Sequence, residues 1–252
     1  MMSGSKAPDF DAYGLLRATH SHNPTQYSHI VGLSSHFYAH IGAGQKVFHP
    51  PMIALIDYDA GNIKSVEKAL LALGQEVEVT SDREKILSAD KVILPGVGAF
   101  GDAMANLRES GLDEVIREVV KKEIPFLGIC LGLQLLFESS EEAPGVAGLG
   151  ILKGKILRIP ERAGLKIPHM GWNSLHLEHD GRLFRGIEEN AYVYFVHSYY
   201  LQAEEKEIVK ASTEYSTHIH ASVEQGNIFA CQFHPEKSSD VGLHILKNFV
   251  EL

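Results

Sequence analysis

The sequence predicts an α/β protein in which helices flank a mostly parallel sheet, with additional antiparallel strands in the C-terminal half. From residue 52 to about 150, short apolar runs alternate with segments of helical periodicity, a pattern typical of a parallel sheet covered on both faces. After about residue 150, short strands and turns dominate. The 252 residues, 44% of them hydrophobic, suffice for one domain with a full core.

In the first half, strands are predicted where apolar runs meet turn residues, at 53–56, 77–80, 92–94 and 126–129. A helix with an apolar face begins at Asn62 and ends at Gly74, since glycine commonly terminates helices. Asp82 is placed to cap a short helix. Two further helices follow the third strand and are separated near Gly111.

In the second half, the predicted strands are 155–159, 173–177, 192–197, 208–211, 221–224 and 228–233. A last helix is predicted over 241–250, where apolar residues recur at helical spacing.

Residues 1–51 differ from the rest of the chain: they are rich in histidine, poor in charge and without a clear period. We predict that this leader is disordered or foreign to the native domain, which would span residues 52–252. Its features are not those of a signal peptide. Its histidines are too irregularly spaced to predict a metal site, and we expect no metal or cofactor.

Bulk properties exclude some functions. A net charge of −9 argues against nucleic acid as the main partner. Two cysteines cannot form a disulfide framework, which favours a reducing, cytoplasmic location. No stretch of the sequence is long and apolar enough to span a membrane.

Cys130 is the strongest candidate for a catalytic residue. It lies between Gly128 and Gly132, after an apolar run and before a helix-like run. Strand, sharp turn, nucleophile and helix form a nucleophile elbow, and glycines allow the tight turn. The alternative is a small buried hydrophobic residue, the usual fate of a free cysteine and our interpretation of Cys231.

His234 and Glu236 follow the last predicted strand and could complete a catalytic triad. Alone, His-Pro-Glu is as easily a polar turn. Beside an elbow cysteine, His234 could accept the thiol proton and Glu236 could fix its tautomer.

The glycine-rich stretch 96–101 matches a dinucleotide-binding pattern, but it follows the third strand rather than the first. A better interpretation is an oxyanion hole, because such loops expose backbone N–H groups beside a nucleophile. The N–H of Leu131 would be its second donor.

The elbow and His234-Pro235-Glu236 resemble the class I (triad) glutamine amidotransferases. Segments 52–62, 95–100, 168–173 and 195–199 are similar to the glutaminase subunits of imidazole glycerol phosphate synthase, and the Pro-His-Met-Gly-Trp-Asn run at 168–173 is the most specific. Many family members have histidine after the second elbow glycine, where this chain has Leu133. The resemblance covers residues 52–252 and implies a flavodoxin-like, class I amidotransferase fold.

The resemblance implies hydrolysis of glutamine to glutamate and ammonia through a thioester on Cys130. A cyclase partner, a (β/α)8 barrel that forms a 1:1 heterodimer with this chain, would then make imidazole glycerol phosphate and an aminoimidazole carboxamide ribonucleotide in histidine biosynthesis. By position, the oxyanion residues are Val97, Gly98 and Leu131. The implied glutamine-binding residues are Gln134, Glu142, His197, Ser198 and Tyr199. The implied cyclase-interface residues are Asn62, Trp172 and Lys237.

Three alternatives remain open at this stage. A stand-alone cysteine hydrolase of the same fold would not be activated by a cyclase. A regulatory module on a glutaminase-like scaffold would not need an intact triad. A class I glutaminase serving another synthetase would not be expected to carry the 168–173 run.

Overall fold

The computed structural model describes residues 51–59, 61–178 and 181–252. Residues 1–50 of the predicted leader therefore lie outside the described residues. None of the helices in the described ranges has both the length and the apolar character needed to cross a membrane.

Strands and helices alternate over the first half of the described chain, and strands dominate the second half. The strands are β1 (Met52–Ile56), β2 (Glu76–Thr80), β3 (Lys91–Leu94), β4 (Phe126–Ile129), β5 (Ser139–Ser140), β6 (Gly154–Arg158), β7 (His169–Ser174), β8 (Tyr192–His197), β9 (Tyr199–Ala203), β10 (Val209–Tyr215), β11 (Thr217–Gln225) and β12 (Ile228–Cys231). The helices are α1 (Ile63–Ala72), α2 (Arg83–Ser88), α3 (Phe100–Glu109), α4 (Leu112–Lys121), α5 (Leu131–Leu135) and α6 (Ser239–Val250).

Five parallel strands form one half of the main sheet, in the order β2-β1-β3-β4-β12. Helices connect β1, β2, β3 and β4 in turn, whereas the chain reaches β12 through the other half of the sheet. The other half continues through β11, β9, β6 and β5, and β10 also pairs with β11. Most of its pairings are antiparallel. The predicted fold class is therefore confirmed.

The parallel strands are buried on both faces. Along β1, Ala54 and Ile56 belong to one hydrophobic cluster, and Ile53 and Leu55 belong to the other. Helices α3 and α4 cover the first cluster, whereas α1 and α6 cover the second. This two-sided burial explains why these strands are continuous apolar runs rather than alternating patterns.

The prediction for β7 was wrong in its bounds. The strand covers His169–Ser174 rather than 173–177 and pairs with β8 in a separate two-stranded sheet. Strand β7 directs two large apolar side chains outward, so it lacks the buried apolar alternation that marks a strand in the sequence. Met170 is 63% exposed and Trp172 is 53% exposed, which reverses the usual pattern.

Strand β9 was missed altogether, because its residues were interpreted only as part of a family signature. Tyr199–Ala203 pairs with β6 along its whole length and with β11 at one point.

The carboxyl ends of β1, β3, β4 and β12 lie at the same edge of the sheet, because these strands are parallel. The segments that follow them begin at Asp57, Pro95, Cys130 and Gln232. In open sheets of this kind, ligands bind at that edge. The topology therefore brings segments that are distant in the sequence to one site.

Candidate active site

Cys130 occupies a strained turn between β4 and α5, with φ 54° and ψ −105°. Such a conformation costs about 1–3 kcal/mol for a residue other than glycine. A Cβ on Gly128 would lie 2.7 Å from the carbonyl oxygen of Gly132, and one on Gly132 would lie 1.9 Å from that of Leu94. Both positions therefore require glycine, and the turn has the geometry of a nucleophile elbow.

His234 and Glu236 form a buried pair, with 2.8 Å between Nδ1 and Oε1 and both side chains 0% exposed. Because a carboxylate only accepts, Nδ1 carries the proton and Nε2 is free to act. That Nε2 atom is buried and has no hydrogen-bond partner among the described residues. Burial alone would lower the pKa of His234, but the neighbouring Cys130 and Glu236 outweigh it and raise that pKa to about 9.

Asn62, which is partly exposed, also contacts the buried His234–Glu236 pair. Its Nδ2 donates to Glu236 Oε1 at 2.6 Å, so the carboxylate oxygen accepts from both Asn62 and His234. Asn62 adopts a left-handed conformation with φ 75° at the start of α1, which asparagine tolerates better than most residues. Sequence reasoning placed Asn62 only at an interface and missed this contact.

A cavity of about 330 Å³ opens beside Cys130. It brings together all the residues predicted for the oxyanion hole and for substrate binding, together with Pro168 and Val196. These predicted residues are Val97, Gly98, Leu131, Gln134, Glu142, His197, Ser198 and Tyr199.

Two acceptor groups lie on the cavity wall. Gln134 Nε2 donates to the carbonyl oxygen of Tyr199 at 3.1 Å and to Gln232 Oε1 at 3.0 Å, so its own Oε1 is left for a ligand. Glu142 Oε2 accepts from the N–H of Phe100 at 2.9 Å, which anchors the carboxylate at the cavity. An oxygen acceptor and a carboxylate suit a ligand that carries an ammonium group.

Two of the predicted oxyanion donors, the N–H groups of Leu131 and Val97, do not point at a common position in this structure. The N–H of Leu131 donates to the carbonyl oxygen of Gly96 at 3.3 Å. The Gly96–Val97 peptide is trans, so its N–H, which belongs to Val97, points the opposite way from that oxygen. Rotation of this peptide would free the N–H of Leu131 and turn the N–H of Val97 toward the same side.

Tyr58 contacts the loop that contains the Gly96–Val97 peptide. Its hydroxyl donates to the carbonyl oxygen of Pro95 at 2.9 Å, and a Cβ on Gly96 would lie 2.2 Å from that hydroxyl. Burial, with a smaller effect from Cys130, raises the pKa of Tyr58, which therefore remains a neutral donor. These contacts fix the N-terminal end of the loop at Pro95 and Gly96. At its other end, Gly98 has φ 115°, where glycine can change its backbone conformation at little steric cost.

A chain of hydrogen bonds joins β7 to the cavity. His197 Nδ1 donates to the carbonyl oxygen of Tyr199 at 2.8 Å, which leaves its Nε2 to accept from His169 Nδ1 at 3.0 Å. Burial lowers the pKa of His169 to about 4 and that of His197 to about 3. Both ring nitrogens of His197 are therefore engaged within the protein.

We expect the free energy of unfolding to fall as the pH is lowered from 6.5 to 5. Well above pH 6.5, the ordinary pKa of histidine, both imidazoles are neutral in the folded and the unfolded chain. Below pH 6.5, both imidazoles become protonated in the unfolded chain. In the folded chain they stay neutral until the pH approaches their lowered pKa values, about 4 for His169 and about 3 for His197. The loss should be about 2 kcal/mol for the pair over this interval.

Urea unfolding at several pH values measures this loss. His169→Gln should reduce the slope of stability against pH. The matched exchange His244→Gln, on the exposed side of α6, should leave it unchanged. An equal slope in the wild type and in His169→Gln would contradict the assignment.

Two of the residues predicted at a partner interface, Trp172 and Lys237, lie near Tyr194. Trp172 packs edge-on against Tyr194, with 6.0 Å between ring centroids. The N–H of Tyr194 donates to Ser238 Oγ at 2.9 Å, next to the exposed Lys237. Met170 and Tyr192, 63% and 60% exposed, extend the apolar surface.

No cluster of three or more His, Cys, Asp or Glu side chains suitable for a metal ion occurs within residues 51–59, 61–178 and 181–252. The second cysteine, Cys231, is fully buried, as predicted, and burial raises the pKa of its thiol well above the ordinary value.

Comparisons with known proteins agree with this geometry. The profile of the family "Glutamine amidotransferase class-I" matches residues 54–252. A curated relative from Moorella thermoacetica, "Imidazole glycerol phosphate synthase subunit HisH", is 56% identical over 200 residues, which cover 79% of this chain and 94% of the relative. A relative of the same name from Methanocaldococcus jannaschii is 50% identical over 201 residues, covering 80% of this chain and 100% of the relative.

Among solved structures, PurLQS from Thermotoga maritima is similar with a TM-score of 0.64 and 22% identity, over 81% of this chain and 99% of that chain. This likeness concerns the fold. The chain therefore belongs to the class I glutamine amidotransferases, and within them to the HisH family of imidazole glycerol phosphate synthase subunits.

Proposed function

We propose that this chain hydrolyses glutamine to glutamate and ammonia through a thioester on Cys130. The observation that carries the proposal is an elbow cysteine that opens onto a cavity, with a buried His234–Glu236 pair beside it. The neighbouring Cys130 and Glu236 raise the pKa of His234 to about 9, which favours an imidazolium at neutral pH that can later give its proton to the leaving group.

The chemistry proceeds in two halves. The sulfur of Cys130 attacks the carboxamide carbon, and the carbonyl electrons move onto oxygen. As that oxyanion collapses, the C–N bond breaks and His234 gives its proton to the leaving nitrogen, which departs as ammonia. Water, deprotonated by His234, then attacks the thioester, and the C–S bond breaks to release glutamate and the thiolate.

Glutamine is recognised through its amino-acid end. Gln134 Oε1 and Glu142 are the acceptors for the α-ammonium group, and His197, Ser198 and Tyr199 line the same cavity. Val97, Gly98 and Leu131 are the proposed oxyanion residues, after rotation of the Gly96–Val97 peptide.

The ammonia is passed to a cyclase partner, a (β/α)8 barrel in a 1:1 heterodimer. That partner makes imidazole glycerol phosphate and an aminoimidazole carboxamide ribonucleotide in histidine biosynthesis. The names of the curated relatives support a multi-subunit synthase. The exposed apolar patch at Trp172, together with Asn62 and Lys237, is the proposed contact surface. Two free thiols favour a reducing, cytoplasmic compartment.

The direct test is co-purification with the cyclase subunit, followed by glutamate assays with and without it. Glutamate release that rises in the complex supports the proposal. Efficient hydrolysis that the cyclase leaves unchanged would favour a stand-alone hydrolase.

We propose residues 52–252 as the functional domain, and we expect deletion of residues 1–51 to leave folding and catalysis intact. The family profile begins at residue 54, and the two curated relatives match about four-fifths of this chain while being covered almost completely themselves. The thermal midpoint should shift by no more than about 2–4 °C, the effect of roughly 1 kcal/mol.

The deleted chain is compared with the full chain by thermal unfolding and by binding to the cyclase. A midpoint lower by many degrees, or loss of the complex, would show that the leader is a structural part.

A further inference from the structure

We propose that Gln232 is a further catalytic residue, whose side-chain amide donates a hydrogen bond to the sulfur of Cys130 and holds it as a thiolate aimed at the cavity. This inference rests on the proposed function, because it concerns the same nucleophile. Gln232 follows β12 directly and is 0% exposed. Its Nε2 lies 3.6 Å from Cys130 Sγ, within the range of an N–H···S bond.

The orientation of the Gln232 amide follows from its neighbours. The carbonyl oxygen of Tyr199 can only accept, so the atom of Gln134 that contacts it at 3.1 Å must be the donor, Nε2. The same Nε2 lies 3.0 Å from Gln232, which must therefore present its acceptor, Oε1, on that side. The Gln232 N–H₂ group is consequently turned toward the sulfur.

The Tyr199 carbonyl oxygen is fixed from a second direction by His197 Nδ1 at 2.8 Å. The chain of amides is thus anchored in the backbone of β9, and it does not depend on a choice of amide rotamer. A flipped Gln232 would set its N–H₂ against that of Gln134, and two facing donors repel each other.

The contact between Gln232 Nε2 and Cys130 Sγ is buried. A buried N–H donor stabilises a thiolate more than a thiol or a thioester sulfur, because the bond is strengthened by the charge. Gln232 therefore favours the reactive form of the resting enzyme and stabilises the thiolate again when the thioester is hydrolysed.

The test is the pH dependence of Cys130 alkylation by iodoacetamide, which requires no glutamine and no oxyanion hole. Gln232→Met keeps the length of the side chain but removes the donor. Loss of a hydrogen bond to a charged group should move the midpoint of the pH–rate profile upward by about 1–2 pH units. The modified residue is located by peptide mass, with Cys130→Ala as the blank.

Two further variants keep the result interpretable. Gln232→Leu also lacks the donor and should shift the midpoint in the same direction, so the inference does not depend on one variant folding. Ser222→Ala removes a different buried hydrogen bond, from Ser222 Oγ to the carbonyl oxygen of Ala230, and should leave the midpoint unchanged.

The outcomes separate this inference from the proposed function. A wild-type midpoint retained in both Gln232 variants would overturn the role of Gln232 and leave Cys130 as the nucleophile. Absence of Cys130-dependent alkylation in the wild type would overturn the nucleophile itself, and the role of Gln232 with it.

Discussion

Replacing Cys130 with alanine is expected to abolish glutamine hydrolysis in the complex with the cyclase. The elbow places the sulfur at the mouth of the cavity, beside the His234–Glu236 pair. In the proposed mechanism no other group can form the thioester. Loss of a covalent nucleophile that acts together with its base should lower kcat by a factor on the order of 10⁴ or more.

Synthesis driven by an added ammonium salt should survive in the same variant, because the cyclase chemistry takes place on the other subunit. Cys231→Ala is the matched control: it removes the other thiol, which is fully buried in the core, and should retain glutaminase activity. Appreciable glutamine hydrolysis by Cys130→Ala would contradict the assignment of the nucleophile.

The isolated chain is expected to be a poor glutaminase that the cyclase activates. In the structure, the Leu131 N–H is occupied by the Gly96 carbonyl oxygen, and the Val97 N–H points away from it. A missing oxyanion donor costs about 10²–10³ in rate. Binding of the partner at the patch around Trp172 and Asn62 could favour the rotated peptide, and kcat should rise by a similar factor.

The measurement is kcat for glutamine with the chain alone, with the cyclase, and with the cyclase plus an analogue of the ammonia acceptor. Rates that increase along this series support a switch in the loop. Equal rates in all three conditions would contradict it, and would also remove a main reason to prefer a complex subunit over a stand-alone hydrolase.

The parallel half of the fold could be predicted closely, because strands buried on both faces and helices with one apolar face leave clear patterns. Strand β4 and the separation of α3 from α4 at Gly111 agree with prediction. The antiparallel half was harder. The exposed side chains of β7 reverse the pattern that prediction relies on, since Met170 and Trp172 face outward.

The cavity residues were predictable because the ends of parallel strands share one edge and because the family resemblance aligned its motifs. Gln232 was not, since the sequence shows a polar residue after an apolar strand but not what it contacts, and its partner Cys130 is 102 residues away. The contact of Asn62 with Glu236 could not be predicted either, because the two residues are 174 positions apart in the sequence. The orientation of the Gly96–Val97 peptide also leaves no signal in the sequence, because glycine permits several backbone conformations.

Transfer of the amide nitrogen tests the central claim most directly. The complex is given glutamine labelled with ¹⁵N in the side-chain amide, together with the cyclase substrate and an excess of unlabelled ammonium ion at a pH where free ammonia is scarce. The account predicts ¹⁵N in the imidazole product, one glutamate per product, and no label with Cys130→Ala. An unlabelled product from the wild-type complex, or glutamate formation independent of Cys130, would contradict it.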